Sequence, residues 1–236
     1  MIKQLRASGG IWVSYKGTNI VIDPGPGSIV HCAKSRPKLD PTKLDAILLT
    51  HRHLDHCNDI NVMIEAMTQG GFKQRGKVFL PQDALGDDAV ILKYFQKLVA
   101  GIEFLKEGVE YSIGNIEFQV PKRMVHPVET YGIKFKLADK SVALVSDTKY
   151  FEGLERHYKA DIIIINVVFS KPREDIQHLS IEDAKRIIAQ ICPEKTILTH
   201  FGMSMLKARP HILAESLKKE LDMDIIAAYD GMSLGL

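Results

Sequence analysis

The sequence of 236 residues contains little cysteine. Its three cysteines, Cys32, Cys57 and Cys192, are far apart in the chain and form no C-x-x-C pair. This pattern argues against a disulfide framework and against a zinc site built from thiolates. We therefore expect all three to be buried, reduced thiols.

Charge of neither sign dominates. The 31 lysines and arginines nearly balance the 29 aspartates and glutamates, which leaves a formal net charge of +2. A chain with this balance has no global electric field that would attract nucleic acid or a membrane. Recognition of an anionic substrate must therefore come from local groups, and the candidates are six basic residues: Lys34, Arg36, Lys38, Lys149, Lys171 and Arg173.

Long apolar runs are also missing from the sequence. No stretch approaches the roughly 20 apolar residues that span a bilayer. Residues 1–8 contain no apolar core of the length that a signal peptide needs. These features predict a soluble, cytoplasmic protein.

Hydrophobic residues make up 45% of the chain, and no linker or low-complexity segment interrupts it, so we predict a single domain over residues 1–236. Short apolar runs beside turn residues predict strands over residues 11–15, 19–22, 45–50, 77–80, 131–137, 142–145, 161–168 and 196–199. Apolar spacing and start signals predict helices over residues 60–67, 84–99, 180–190 and 210–221. Residues 102–125 are predicted to form successive short antiparallel strands. This order fits an α/β protein of αββα type, with two packed sheets and helices on both outer faces.

Four side chains of the kind that bind metals crowd into the segment after the predicted strand 45–50: His51, His53, Asp55 and His56. His51 and His53 alternate in an extended segment, so their imidazoles point to the same side. Asp55 and His56 follow where the chain turns into a helix, and one loop can therefore face two adjacent cations. A solvated polar loop is the alternative, but it gives no reason for four such residues to follow an apolar strand.

The run from Thr50 to His56 resembles the H-x-H-x-D-H hallmark of the metallo-β-lactamase superfamily of hydrolases, and the likeness extends over nearly the whole chain. The family's other motifs match Asp23, His126, Asp147 and His200 in order. The resemblance implies an αββα fold and two metal sites. It assigns the first metal to His51, His53 and His126, the second to Asp55, His56 and His200, and a bridging role to Asp147. Asp23 matches the family's aspartate that supports a metal-bound imidazole from behind.

Nitrogen and oxygen ligands without thiolate favour zinc, although manganese or iron(II) suits the same set. Two such cations, about 3.5 to 4 Å apart, suit phosphoryl transfer because they activate a water and stabilise charge on the phosphodiester oxygens. Thioester or lactone hydrolysis would use the same site. His53 stands where the flavo-diiron relatives have Glu, and Asp147 stands where β-lactam-hydrolysing members commonly differ. The first feature argues against redox chemistry of the flavo-diiron type, and the second argues against hydrolysis of β-lactams.

The segment His178-Leu179-Ser180 resembles the His-x-Thr/Ser motif of ribonuclease Z and related phosphodiesterases. In that branch the histidine assists proton transfer to the leaving oxygen. The resemblance makes His178 a general acid and places it among the catalytic residues with Asp55 and Asp147. The alternative is that Ser180, with Asp183 three residues later, simply caps a helix.

One departure from ribonuclease Z concerns the substrate. Only 20 residues separate His126 from Asp147, and predicted strands occupy most of them, so there is no room for a tRNA-binding arm. Together with the small net charge, this favours a small or cyclic phosphodiester over tRNA. A thioester or lactone hydrolase, and a non-catalytic metal-bound sensor or binding protein, stay open as alternatives. A homo-oligomer is compatible with the sequence.

Overall fold

The computed structural model describes residues 5–236. The expectation that the chain starts without a signal peptide rests partly on residues 1–4, which lie outside that range. Within residues 5–236, no helix is both long enough and apolar enough to cross a membrane. The chain divides into two compact units. Unit 1 comprises the described residues up to Lys106 together with Tyr111–Glu117, and unit 2 comprises Glu107–Glu110 and Phe118–Leu236.

The first sheet lies in unit 1 and has five strands: β1 (Ile11–Tyr15), β2 (Thr18–Ile22), β3 (Ala46–Leu48), β4 (Lys77–Leu80) and β5 (Gly101–Phe104). The strands lie in sequence order, with β1 antiparallel to β2 and the remaining neighbours parallel. Lys16 and Gly17 both have positive φ angles, of 45° and 84°. Such a pair forms the two-residue turn that matches the twist of a hairpin.

Unit 1 also contains four α-helices: α1 (Ser28–Lys34), α2 (Leu54–Cys57), α3 (Ile60–Met67) and α4 (Lys93–Gln96). Two 3-10 helices, Pro41–Lys43 and Gln82–Leu85, complete it. Helix α3 has the bounds predicted from its apolar spacing. Its four periodic apolar residues, Ile60, Met63, Ile64 and Met67, are fully buried in the core of the unit.

The second sheet has seven strands: β6 (Glu110–Ile113), β7 (Ile116–Gln119), β8 (Ile133–Leu137), β9 (Lys140–Val145), β10 (Ile162–Asn166), β11 (Lys195–Thr199) and β12 (Ile225–Ala227). Their order is β12-β11-β10-β9-β8-β7-β6. Strands β9 to β12 pair in parallel, whereas β8 and β9 form the predicted antiparallel hairpin. Both sheets are therefore mixed, and the prediction of an α/β protein with two mixed sheets is confirmed.

Unit 2 contains four α-helices: α5 (Leu154–His157), α6 (Ile181–Ile191), α7 (Met203–Lys207) and α8 (Pro210–Leu221). The predicted cap of α6 is confirmed. The Ser180 hydroxyl accepts a hydrogen bond from the Asp183 N–H, and the Asp183 carboxylate accepts one from the Ser180 N–H, which is a complete capping box. Helix α8 begins at Pro210, as predicted.

The prediction of one helix over residues 84–99 is wrong. Within that range only the end of a 3-10 helix and the short α4 are helical. The Asn61 side chain explains the interruption, because it accepts a hydrogen bond from the Leu92 N–H at 3.0 Å and donates one to the Val90 carbonyl at 2.9 Å. Those backbone groups are then not available to a continuous helix.

Two further expectations need correction. Strand β5, at the start of the segment predicted to be antiparallel, pairs in parallel with β4. The segment between them is long enough for the crossover that a parallel pair needs. Residues 28–34, for which the sequence predicted neither a helix nor a strand, form α1. A distant group supports that helix, because the Ile29 N–H donates to the Asp59 carboxylate at 3.1 Å.

The prediction that all three cysteines are buried is wrong for Cys192. Cys32 and Cys57 are buried, but Cys192 is exposed. Cys192 follows the last turn of α6 in the left-handed conformation, with φ of 52°. Burial raises the pKa of the Cys57 thiol to about 12, and the charges of Asp23 and Asp55 add to the rise.

We predict that a thiol reagent labels Cys192 in the native protein and reaches Cys32 and Cys57 only after unfolding. A thiol reacts as its thiolate, and burial in apolar surroundings suppresses the formation of the thiolate. Mass spectrometry of peptides from native and denatured protein measures this. Cys192→Ser is the control and should abolish native labelling. Labelling of Cys57 as fast as Cys192 would contradict the buried environment.

Candidate metal-binding site

The predicted site residues of unit 1 follow the carboxyl ends of two neighbouring parallel strands. Asp23 comes directly after β2, and His51 follows β3 after two buried residues, Leu49 and Thr50. Because β2 and β3 are parallel neighbours, their carboxyl ends lie at the same edge of the sheet. The sheet thus brings Asp23 to the histidine segment.

The histidine run is compact. The ring centroid of His51 lies 4.8 Å from that of His53 and 4.0 Å from that of His56. His53 is extended and precedes α2, so Asp55 and His56 stand on the first turn of that helix. The Nε2 atom of His56 lies 4.0 Å from Oδ2 of Asp55. Unit 1 therefore collects one carboxylate and three imidazoles around a small volume.

Asp23 is buried and accepts three hydrogen bonds from this segment. The Thr50 N–H donates to Oδ1 at 2.7 Å, and the Thr50 hydroxyl donates to Oδ2 at 2.7 Å. Nδ1 of His56 lies 2.9 Å from the same Oδ2. Since a carboxylate only accepts, Nδ1 of His56 carries the proton, and the lone pair of the neutral ring is on Nε2, the atom next to Asp55.

Gly25 allows this close approach. A Cβ atom at position 25 would lie 2.0 Å from the Asp55 carbonyl oxygen and 2.3 Å from the Ser8 carbonyl oxygen. Neither backbone group can move away without disturbing α2 or the segment before β1. The Gly/Pro-rich sequence after Asp23 therefore has a structural reason, which is the contact between this loop and the backbone of Asp55.

In unit 2 the parallel strands β9, β10 and β11 also end at one edge of their sheet. Asp147 lies just beyond β9, and His200 directly follows β11. His200 has a φ angle of 59°, a conformation that residues other than glycine rarely adopt and that concentrates at functional sites. Its Nε2 atom lies 3.7 Å from Oδ2 of Asp147.

His126 does not directly follow a strand, although strands were predicted over residues 102–125, up to the residue before it. It lies well beyond β7, and the Val125 N–H beside it donates to the Thr148 hydroxyl at 3.0 Å. Nδ1 of His126 lies 3.0 Å from the carbonyl oxygen of Gln177. A carbonyl only accepts, so Nδ1 carries the proton and Nε2 of the neutral ring is the nitrogen that can bind a cation.

His178 lies beside Asp147. Its Nδ1 atom is 3.6 Å from Oδ2 of that carboxylate, and its ring stacks on that of His200 at a centroid distance of 6.4 Å. One ring nitrogen of His126, one of His178 and one carboxylate oxygen of Asp147 lie within 4.8 Å of one another. Unit 2 therefore gathers the predicted proton donor together with the predicted ligands.

The residues present fit divalent cations. Zinc–nitrogen bonds of about 2.0 to 2.1 Å place neighbouring ligand atoms of a tetrahedral site about 3.3 Å apart. The separation of 3.7 Å between Asp147 and the predicted ligand His200 is longer than a hydrogen bond but close to that spacing. His56 and His126 both have the tautomer with the lone pair on Nε2. The donors are imidazoles and carboxylates, which suit zinc, manganese or iron(II).

Three residues with a role in the site were missed. Thr50 and Asn166 contact the carboxylates of Asp23 and Asp147, and Gln177 contacts His126 through its backbone. Asn166 could have been found, because it is a polar residue at the end of an apolar strand. A backbone carbonyl such as that of Gln177 leaves no signal in the side-chain sequence.

Two of the basic residues considered for phosphate, Arg173 and Lys149, have partners in the structure. The Arg173 guanidinium pairs with the Asp175 carboxylate at 2.6 Å and lies 5.6 Å from the centre of the Phe169 ring. The Lys149 ammonium donates to the Glu174 carbonyl at 3.3 Å. Both contacts are exposed, so a ligand can compete for these cations at small cost.

Comparison with known proteins supplies the family. A family model described as the beta-lactamase superfamily domain matches residues 18–201. An uncharacterized protein of Methanocaldococcus jannaschii is 29% identical over 247 residues, covering 100% of this chain and 90% of that protein. The crystal structure of the metallo-beta-lactamase fold protein YhfI from Bacillus subtilis has a TM-score of 0.82 at 20% identity, covering 98% of this chain and 92% of that chain. A diphosphatase of the PhnP family has a TM-score of 0.72 at 21% identity, covering 98% of this chain and 85% of that chain.

The structural matches confirm the predicted metallo-β-lactamase fold. The family model spans more than three quarters of the chain and includes Asp23 and all seven residues predicted to bind metal. Members of this family typically bind divalent metals, and the chain carries the matching His/Asp sets. The chain therefore belongs to the beta-lactamase superfamily, as a metal-dependent hydrolase of the metallo-β-lactamase fold.

Proposed function

We propose that the protein is a phosphodiesterase that acts on a small or cyclic phosphodiester with two divalent cations, zinc by default. The proposed ligands are those that the family resemblance assigns. They are His51, His53 and His126 for one cation, Asp55, His56 and His200 for the other, and Asp147 for both.

The number and chemistry of the donors support this assignment. Seven ligands exceed the four that one tetrahedral zinc takes. When bound, a pair of divalent cations lowers the pKa of a coordinated water and stabilises charge on the oxygens of a phosphoryl group. The chain's own residues must then hold those cations, orient the substrate and supply a proton to the leaving oxygen.

The position of His178 is the observation that carries the phosphodiester proposal. An alkoxide leaving group needs a proton, and an imidazole is suited to donate it. His178 lies beside Asp147 and is in edge contact with the rings of His126 and Phe169, at centroid distances of 5.0 and 6.1 Å. These contacts restrict its ring. The proton donor is thus held next to a predicted metal ligand, where the scissile bond would lie.

Two features support a small phosphorylated substrate. The strands β8 and β9, joined through Ala138 and Asp139, occupy most of the segment between His126 and Asp147, where a tRNA-binding arm would have to emerge. The PhnP-family structure with the same fold is described as a diphosphatase, so the fold accommodates phosphoryl chemistry. The small net charge agrees with a small ligand.

We predict that the metal-loaded protein contains two divalent ions per chain, and that His56→Ala in unit 1 and His200→Ala in unit 2 each reduce this number. Each variant removes one predicted ligand of the same cation. Elemental analysis after dialysis measures the stoichiometry. His211→Ala, which removes an exposed histidine of α8, is the matched control and should keep both ions. A parent protein that never exceeds one ion would disprove the two-metal assignment.

We predict that His178→Ala keeps both metals but loses roughly 10²-fold to 10⁴-fold in kcat on an alkyl phosphodiester, the usual contribution of general acid catalysis. The loss should be much smaller on a nitrophenyl ester, because nitrophenolate leaves without a proton. Steady-state kinetics on the two substrates, with metal analysis of each preparation, measures this.

The outcomes of that experiment separate the alternatives. Loss of metal in His178→Ala would make this residue a ligand, and equal losses on both substrates would give it a positioning role. Absence of any loss, together with faster turnover of thioesters or lactones than of phosphodiesters, would favour the thioester or lactone hydrolase. No turnover of any ester by fully metal-loaded protein would favour a sensor or binding protein.

A further inference from the structure

Thr50 is a buried residue with no assigned role. It lies between the apolar end of β3 and the first predicted ligand, His51, and its side chain is fully buried. Its hydroxyl oxygen lies 2.7 Å from Oδ2 of Asp23 and 3.1 Å from Nδ1 of His51. The hydroxyl therefore connects a carboxylate to an imidazole.

The direction of these hydrogen bonds follows from the chemistry of the three groups. The Asp23 carboxylate has no proton to donate, so the Thr50 O–H must point to it. The hydroxyl then presents a lone pair to His51, and Nδ1 of His51 must be the donor. In a neutral imidazole with the proton on Nδ1, the lone pair is on Nε2.

We propose that Thr50 is a positioning residue that transmits the charge of Asp23 to His51 and selects the tautomer in which Nε2 is free of a proton. Oδ2 of Asp23 also accepts from Nδ1 of His56, so a single carboxylate oxygen sets the tautomers of two predicted ligands. This inference rests on the proposed function, since it takes His51 and His56 as metal ligands. It adds Thr50, whose side chain is not one of the predicted metal ligands.

A pair of variants tests the role of the hydroxyl. Thr50→Val has nearly the same shape but no hydroxyl, and Thr50→Ser keeps the hydroxyl but loses the methyl group. We expect Thr50→Val to lower zinc affinity about 10-fold to 100-fold, the usual effect of losing a partner that orients a ligand. The zinc affinity of Thr50→Ser should stay within about 3-fold of that of the parent protein. Competition with a chromophoric chelator measures both affinities. Equal losses in the two variants would show a packing role and overturn the proposal, as would no loss in either.

The tautomer can also be measured directly in the metal-free protein, so the proposal remains testable if Thr50→Val fails to fold. Long-range ¹H–¹⁵N NMR spectra distinguish protonated from unprotonated ring nitrogens, at a pH well above the ordinary histidine pKa of about 6.5. The parent and Thr50→Ser should show an unprotonated Nε2 for His51, and Thr50→Val should show a mixture. A protonated Nε2 in the parent would refute the inference. Because no substrate is involved, this result is independent of whether the protein is a phosphodiesterase.

A separate contact in unit 2 supports a second positioning residue. Asn166 is the polar residue at the end of the otherwise apolar β10, and it is 5% exposed. Its amide nitrogen donates to Oδ1 of the buried Asp147 at 2.8 Å. The NH₂ group must face the carboxylate, because the amide oxygen would repel it. We infer that Asn166 fixes the rotation of Asp147, so that Oδ2 is the oxygen directed to His178 and His200.

Asn166→Leu removes the donor and keeps a similar volume. We expect it to lower metal affinity about 10-fold to 100-fold and to change the visible absorption spectrum of the cobalt(II)-substituted protein. Asn166→Ala, which adds no bulk, should behave in the same way. Asn61→Leu is the matched control, because within residues 5–236 the Asn61 side chain bonds only to the backbone of Val90 and Leu92. This variant should lower Tm without changing the spectrum. Unchanged affinity and spectrum in both Asn166 variants, or an equal change in the control, would overturn the inference.

Discussion

The buried carboxylate of Asp23 is the constraint on which the site in unit 1 depends. A buried charge is costly unless hydrogen bonds satisfy it, and within residues 5–236 the Asp23 carboxylate receives donors only from Thr50 and His56. Those donors lie about 30 residues further along the chain, beyond β3. The charge is therefore satisfied only when β2 and β3 lie side by side in the observed register. The same contacts that stabilise the strand ends also select the tautomer of the predicted ligand His56.

Unit 2 also contains a buried carboxylate, and different contacts orient it. Asp147 is also a buried carboxylate at the end of a parallel strand, but it is itself a predicted ligand, so its charge is available to cations. One of its oxygens is occupied by the amide of Asn166, which is neutral and cannot compete as an anion. The other oxygen faces the predicted proton donor His178 at 3.6 Å and the predicted ligand His200 at 3.7 Å. A neutral amide thus orients this carboxylate without adding negative charge.

The sequence predicted those parts of the fold and site that depend on local patterns. The bounds of α3 and α8, the cap at Ser180 and the compact run from His51 to His56 all follow from residues close together in the chain. The helix predicted over residues 84–99 failed because Asn61, far away in sequence, binds its backbone. The bond from His126 to the Gln177 carbonyl was not predictable for the same reason, since any residue provides a carbonyl and only the fold determines which one is near.

The structure also explains why His178 lies two residues before Ser180. Ser180 caps α6, and hydrogen bonds hold the backbone on either side of it. Before the cap, the Leu179 carbonyl accepts from the Val168 and Phe169 N–H groups. After the cap, the Ile181 N–H donates to the Phe169 carbonyl. A residue two positions before the cap is therefore fixed relative to the end of β10. His178 occupies that position, and the carbonyl just before it orients His126. Capping of α6 by Ser180 and the proposed proton donation by His178 are therefore compatible, because the backbone that leads into the cap also carries His178 beside Asp147.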